Sequence, residues 1–334
     1  VERAAKPDGN LRNGRIRNWV APAVAAAVSA LGLMLAGSAS AAEPRSILLS
    51  GSGLTAPAAV VKDSSGGIWV ADHLMGLCKA NLAVGGGTGS LIEGPTCNLD
   101  PLLRPYVPAE VASVVYDDAA KAFYVGGADL AGGVWRVGWN SGQVETAADK
   151  TFQILSLPTV GEIVFGMGFD PNHPSGPVLD FTTKRTDSVF RIVDPATCPN
   201  ISVDPLICTA VGRFGPIGNA AVAGGGPVSH LDGHVYLGED LGVSRFPSPP
   251  SLPASVVRAQ MLENSPPAII SSLASDPAVD GGRLYVGTFD VNPSDTVYVM
   301  AGGGTGQPLP YATQLAAASA LSVDSTGTLL IGDD

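Results

Sequence analysis

Six times along the chain a short apolar run rises out of a glycine-rich background and breaks at a polar connection. The last apolar residues of these runs are Val70, Val125, Phe181, Leu237, Val286 and Ile331. The intervals between them are 55, 56, 56, 49 and 45 residues. Such spacing marks repeated supersecondary units, and among these a four-stranded antiparallel unit fits best. The clearest copy is GGIWVADHLMGLCKANL from Gly66 to Leu82: a strand over Ile68–Ala71, a polar connection at Asp72-His73, then a second strand.

Each run is preceded by a strand and a turn. The first strands fall at Ala58–Lys62, Val111–Tyr116, Ile163–Phe169, Ala220–Ala223, Ile269–Ser275 and Ala320–Val323. Asp63, Asp117, Asp170, Asp276 and Asp324 open five of the six turns, and Leu231-Asp-Gly-His makes the other. A carboxylate that caps backbone N–H groups, followed by glycine at positive φ, is turn chemistry, so these acids are expected to shape the chain. Third strands follow at Gly76–Leu82, Gly133–Trp139, Ser188–Val193, Gly242–Phe246 and Thr296–Met300. Less regular fourth strands lie near 96–99, 151–157, 207–212, 256–262 and 310–315. We label the four positions of each copy a to d. The sixth copy has a and b before residue 334, and Ser46–Ser50 is placed to join it as an outer strand. The expected fold class is all-β, a six-bladed β-propeller with about four antiparallel strands per blade.

Composition agrees with many short strands. The 334 residues include 42 Gly and 27 Pro, only 15% are charged, and no long helical period appears after residue 45. The front of the chain reads differently. Lys6, Arg12, Arg15 and Arg17 precede an apolar run from Trp19 to Ala36 and then the small residues 38–42. That is the layout of a signal peptide over 1–42, cleaved near Ala41 or Ala42, with an uncleaved anchor as the alternative. An exported protein, periplasmic or extracellular, is expected, with 43–334 as one domain.

Removing residues 1–42 takes away five basic and two acidic residues, so 14 and 28 remain and the net charge becomes −14. Nucleic acid and anionic membrane surfaces are poor partners for such a chain, because phosphate binding needs clustered positive charge. A monomer that binds a protein or small-molecule partner is expected. Export also bears on the four cysteines. Cys78 and Cys97 flank one c–d hairpin and Cys198 and Cys208 another, which favours Cys78–Cys97 and Cys198–Cys208 among the three pairings. No C-x-x-C occurs.

Most chemical motifs dissolve on inspection. Gly85–Gly89 and Gly302–Gly306 lack the lysine and following helix of a phosphate loop and read as c–d turns. His230 and His234 flank a hairpin, so a metal contact there would have to form across strands. H-E-x-x-H and G-x-S-x-G are absent. Trp69, Trp135 and Trp139 sit at strand spacing and read as packing.

One constellation survives. In a propeller the d–a and b–c connections share a face around the axis. Glu110, Glu162 and Asn219 precede strands a, while Asp72, Glu239, Asp240, Asp290 and Asp333 lie in b–c connections. Their oxygens suit a hard cation such as Ca²⁺. His73, beside Asp72, is a candidate general base on the same face.

Taken over about 46–334, the recurring D-x-x-G-x-Φ-Φ-V-x-D pattern resembles the six-bladed propellers of the NHL and SMP-30/gluconolactonase-like superfamily. The resemblance implies architecture first, since the superfamily holds binding modules, lyases and metal-dependent lactonases. Its lactonases hold a divalent cation with Glu, Asn and Asp side chains that polarises an ester carbonyl. That would cast Glu110, Glu162, Asn219, Asp240 and Asp290 as ligands. The family's first-blade Glu has no counterpart among Leu54, Thr55, Ala56 and Pro57. The leading expectation is a binding or scaffold module that uses the d–a and b–c loop face; the alternative is a lactonase-like hydrolase.

Overall fold

A computed structural model describes residues 46–48, 56–80, 96–97, 111–127, 132–145, 147–157, 163–183, 186–202, 208, 211–214, 226–240, 242–248, 260–264, 266, 268–279, 281–289 and 295–333. Its strands form six sheets. In chain order, β1 (Ser46–Leu48) belongs to the last of them. Sheet one follows as β2 (Pro57–Lys62), β3 (Ile68–Asp72), β4 (Gly76–Ala80) and β5 (Thr96–Cys97). Sheet two has β6 (Val111–Asp117), β7 (Ala122–Gly127), β8 (Gly133–Asn140), β9 (Gln143–Glu145) and β10 (Phe152–Ser156). Sheet three has β11 (Val164–Asp170), β12 (Val178–Thr183), β13 (Thr186–Val193) and β14 (Val211–Phe214).

Sheet four comprises β15 (Val228–Leu231), β16 (His234–Glu239), β17 (Gly242–Pro247) and β18 (Gln260–Met261). Sheet five comprises β19 (Ile269–Asp276), β20 (Arg283–Phe289), β21 (Asp295–Met300) and β22 (Leu309–Leu315). Sheet six joins β23 (Ala318–Val323) and β24 (Leu329–Asp333) to β1, which pairs with β24 in parallel, Ile47 opposite Leu330. Every other pairing is antiparallel between chain neighbours, apart from β10, which returns to β8 past the hairpin strand β9. Among the described residues no helix is long and apolar enough to cross a membrane, and residues 1–42 lie outside them.

The strand pattern follows the sequence with one correction and one addition. The first strand of sheet four is Val228–Leu231, not Ala220–Ala223, which lies outside the described residues. Val-Ser-His-Leu hides its alternation because the histidine faces a buried partner. The hairpin strand β9 is additional: Asn140-Ser-Gly-Gln turns with Ser141 and Gly142 both at positive φ, the geometry of a two-residue hairpin loop. As expected, Ser46–Leu48 joins the sixth sheet as its outer strand, directly against β24.

The core lies between the sheets. Trp69, Phe123, Trp135 and Trp139 fill the space between sheets one and two. Tyr124, Phe181 and Ile154 do so between two and three, and Val189, Val228 and Phe246 between three and four. Tyr236, Leu273 and Leu284 follow, then Tyr285, Leu321 and Ile331. Val60, Ile68 and Val70 pack on Ala320 and Leu330, so sheet one also meets sheet six. Each fully buried side chain of this size contributes roughly 1.5–3 kcal/mol of transfer free energy.

The first strands touch in the same cyclic order: β2 on β6, β6 on β11, β11 on β15, β15 on β19, β19 on β23, and β23 on β2. Hydroxyls stitch these contacts. Ser113 Oγ donates to Val164 O at 3.2 Å, Thr182 Oγ1 to Gly226 O at 2.7 Å, and Ser272 Oγ to Ala318 O at 2.6 Å. The residue after each run's last apolar position is small or short: Ala71, Gly126, Thr182, Gly238, Gly287 and Gly332. Packing requires it. A Cβ on Gly126 or Gly287 would lie 2.2 Å from the Ser113 or Ser272 hydroxyl that makes the stitch.

A disulfide closes the c–d connection of sheet three as expected. Cys198 and Cys208 are bonded. Cys78 is also disulfide-bonded, and its register partner across β4 and β5 is Cys97.

Candidate functional site

The six first strands line a cavity of about 1410 Å³. Its two ends are built differently. At the a–b end, aspartates close the turns with their own carboxylates. Asp63 Oδ1 accepts the Ser65 and Gly67 amides, both at 2.8 Å, and Asp324 Oδ1 accepts those of Thr326 and Thr328. Asp117, Asp170 and Asp276 each accept one amide two or three residues on. Two of these acids also reach a neighbouring sheet. Asp63 Oδ2 accepts the indole N–H groups of Trp69 and Trp139 at 2.8 and 3.0 Å, and Asp324 Oδ2 accepts Lys62 Nζ at 2.5 Å.

Their acidity follows. Burial raises the Asp63 carboxyl, but hydrogen bonds from Ser65, Trp69 and the Gly67 amide outweigh it and hold the group below the usual range. Burial likewise opposes Lys62, Thr326 and Thr328 at Asp324, and loses: its pKa falls to about 2.

The opposite end, where b–c connections and the starts of strands a meet, is the candidate site. A local irregularity opens it. In sheets one, two, three, five and six the pairing of strand a with strand b slips near its start, between Pro57 and Ala59, Val111 and Ser113, Val164 and Gly166, Ile270 and Ser272, and Ala318 and Ala320. A β-bulge at such a rim redirects a side chain. The displaced residues Ala58, Ala112, Phe165, Ser271 and Ser319 all line the cavity.

Around this mouth stand Phe165, Ile269 and Phe289, 38%, 40% and 49% exposed. Ile269 and Phe289 are cross-strand partners on the last rung of β19 and β20. Three large apolar side chains thus stand in water around one cavity mouth, surface that a ligand or partner would cover.

Of the expected site residues, the structure places His73 and Asp240 here, with Glu239 beside Asp240. All three are half-buried. Glu110, Glu162, Asn219 and Asp290 lie outside the described residues, as do the side chain of Asp333 and the loop 85–89. Asp72 is a correction. Fully buried, it accepts the Ala56 amide on Oδ2 and the Leu74 and Met75 amides on Oδ1, each at 2.9 Å. It pins the b–c turn to the start of strand a and so is a turn former. Among the described residues no three His, Cys, Asp or Glu are grouped to hold a metal.

His230 and His234 flank a hairpin turn as expected, and their rings part. His234 turns back to the carbonyl of Asp232 at 2.9 Å, while His230 Nε2 meets Asp180 Oδ2 at 2.9 Å in the neighbouring sheet. Register explains the divergence: His230 pairs with Val235 and His234 with Leu231, so the two rings do not oppose each other. Asp180 is buried and gripped by Arg191 through Nε at 2.7 Å and Nη2 at 2.6 Å. Arg191 also reaches Ser248 Oγ and His173 Nε2. Burial raises the Asp180 carboxyl, but Arg191 and His230 overcome that and hold it low. Burial and the adjacent Arg191 push His173 down, favouring its neutral form.

Sequence reasoning missed Phe165, Ile269, Phe289 and the Asp180–Arg191–His230 group. The first three carry no local signal: Phe165 and Ile269 stand at the starts of first strands and Phe289 at the end of β20, so they read as ordinary strand residues. Gly302, Gly303 and Gly304 are left-handed, which accords with a tight c–d turn.

No protein-family model and no curated protein matches the sequence. Solved structures do match in shape. A gluconolactonase from Xanthomonas campestris superposes with a TM-score of 0.53 at 12% identity, covering 84% of each chain. A carbohydrate-active enzyme of family AA12 from Trichoderma reesei gives 0.51 at 11% identity, over 86% of this chain and 92% of the other. What these proteins share with the present chain, at such identities, is an all-β arrangement of repeated small sheets.

Proposed function

We propose that residues 43–334 are a six-bladed β-propeller, exported behind residues 1–42, that works as a binding module. Its ligand or partner sits at the mouth shared by the d–a and b–c connections. The observation that carries the reading is the cavity itself, lined by the first strand of every sheet and rimmed at one end by exposed Phe165, Ile269 and Phe289. The cyclic order of sheet contacts and the likeness to the gluconolactonase fold support the propeller architecture. The Cys198–Cys208 disulfide and the bonded state of Cys78 support export, because such bonds persist in oxidising compartments. The lactonase-like alternative would need Glu110, Glu162, Asn219 and Asp290 beside Asp240. Asp240 is the one member of that set among the described residues, so no catalytic step is assigned to a metal.

Nile red, a neutral fluorophore that brightens in apolar surroundings, tests the reading. The folded protein is expected to give a saturable one-site rise in fluorescence. Phe165→Ser with Phe289→Ser is expected to weaken it at least tenfold at unchanged Tm. A native protein that leaves the dye dark, or a double variant that binds as before, would overturn the binding role of this mouth.

A further inference from the structure

The a–b turn of sheet three is anchored differently from those of sheets one and six. There the turn aspartate is the anchor: Asp63 accepts two amides and two indole N–H groups, and Asp324 accepts two amides and Lys62. Asp170, its counterpart in sheet three, accepts only the exposed Asn172 amide among the described residues. The anchor here is a histidine. Within 171–176 one residue is buried, His173, 5% exposed, while Pro171, Asn172, Pro174 and Ser175 stand in water. Its imidazole is a plug that fixes the turn to the sheet. Pro171, Asn172 and Pro174 line the cavity, at the end away from the mouth.

The surroundings of the plug suit a neutral ring. Arg191 Nη1 stands 3.3 Å from Nε2, and the Ser175 amide donates to Nδ1 at 3.2 Å. A guanidinium and a backbone N–H are donors only. An imidazolium, with a proton on each nitrogen, would face a donor at both and set a second positive charge beside Arg191. Four ionisable groups face the ring: Arg191 on β13, Asp170 at the end of β11, Asp180 on β12 and His230 on β15. The two carboxylates favour the imidazolium, yet neither hydrogen-bonds to the ring among the described residues. Asp180 is held instead by Arg191 and His230. Burial and Arg191 outweigh the carboxylates.

We infer that His173 is a proton-operated latch. Neutral, it holds the 171–176 turn against Arg191; protonated, it leaves its buried position for water and frees that stretch of the cavity wall. The Asp180–Arg191 pair does not depend on His173 and keeps β12 and β13 together, so the release is local. Once in water the ring binds protons with its ordinary affinity. Each pH unit below about 6.5 therefore multiplies the open fraction by up to about tenfold. The latch lies away from the mouth and acts whatever the mouth binds.

Amide hydrogen exchange followed by NMR from about pH 7.5 to about pH 4.5, each rate divided by that of an unstructured chain, tests the latch. The reporters are the Ser175 amide, bonded to Nδ1, and the Gly176 amide, bonded to the His173 carbonyl. Their protection is expected to be whole above about pH 6.5 and to fall at least fivefold below it. Amides of β12 and β13 are expected to keep theirs, and the His173 ring to titrate below its ordinary value. His173→Gln, neutral at every pH, is expected to abolish the pH dependence of Ser175 and Gly176. Constant protection in the native chain, a fall that persists in His173→Gln, or loss from β12 and β13 in step would overturn the latch. Should the variant not fold, the native ring decides: titration at or above its ordinary value would overturn it equally.

Discussion

The two ends of the six first strands carry similar residues to different purposes. At the a–b end an aspartate recurs at the same position in five copies, and in each it accepts a backbone amide of the turn that follows. At the other end the copies diverge: Asp72-His73 in the first, Glu239-Asp240 in the fourth, Thr288-Phe289 in the fifth. Asp72 there is spent on its own turn. Uniformity at one end reflects a demand that every sheet makes of its sequence. Variation at the other places exposed aromatic side chains and half-buried acids around the mouth where the proposed ligand or partner would sit.

Substitutions sharpen the contrast, the largest effect first. Asp180→Ala leaves Arg191 buried without its counter-ion and is expected to cost about 3–5 kcal/mol in denaturant unfolding. Asp63→Ala removes the acceptor of two buried indole N–H groups together with a turn cap, a loss of about 3 kcal/mol. Both belong to the framework and should lower Tm whether or not ligand is present.

Acid is expected to act on the same framework. The folded pKa of Asp324, about 2, lies below its ordinary 3.8. Its contribution is therefore whole above about pH 4 and is lost as pH falls towards 2. Screening around the partly exposed Lys62 limits it to at most about 2 kcal/mol. Asp324→Asn should flatten that part of a stability profile. His173 adds an earlier loss of the same sign: its folded pKa lies below 6.5, so stability falls once pH drops below 6.5 and continues through the folded value.

At the mouth the expectation reverses. Phe289→Ser should change unfolding free energy by no more than about 0.5 kcal/mol yet reduce the affinity for Nile red. A destabilisation of several kcal/mol there would place Phe289 in the framework and erase the distinction between the two ends.

The framework was the legible part of the chain. Turn aspartates, alternating apolar strands and the cysteine spacing are local signals, so the sheets and the Cys198–Cys208 bond could be read from the order of residues. The first strand of sheet four was missed because His230 interrupts its apolar pattern, and what justifies a buried histidine is Asp180, fifty residues earlier. Asp72 looked like a mouth ligand for the converse reason: an aspartate in a polar loop gives no hint of which amides its oxygens will meet. Phe165, Ile269 and Phe289 read as ordinary strand residues until a bulge and a strand end leave them facing water.

The most direct test of the account is titration of Nile red into a chain of residues 43–334 and into the same chain with Phe165→Ser and Phe289→Ser, with Tm recorded for both. The account predicts one saturable site in the parent, at least a tenfold loss of affinity in the double variant, and Tm values within about 2 °C of each other. Equal affinity in the two proteins, or a loss of affinity that accompanies a collapse in Tm, would contradict it.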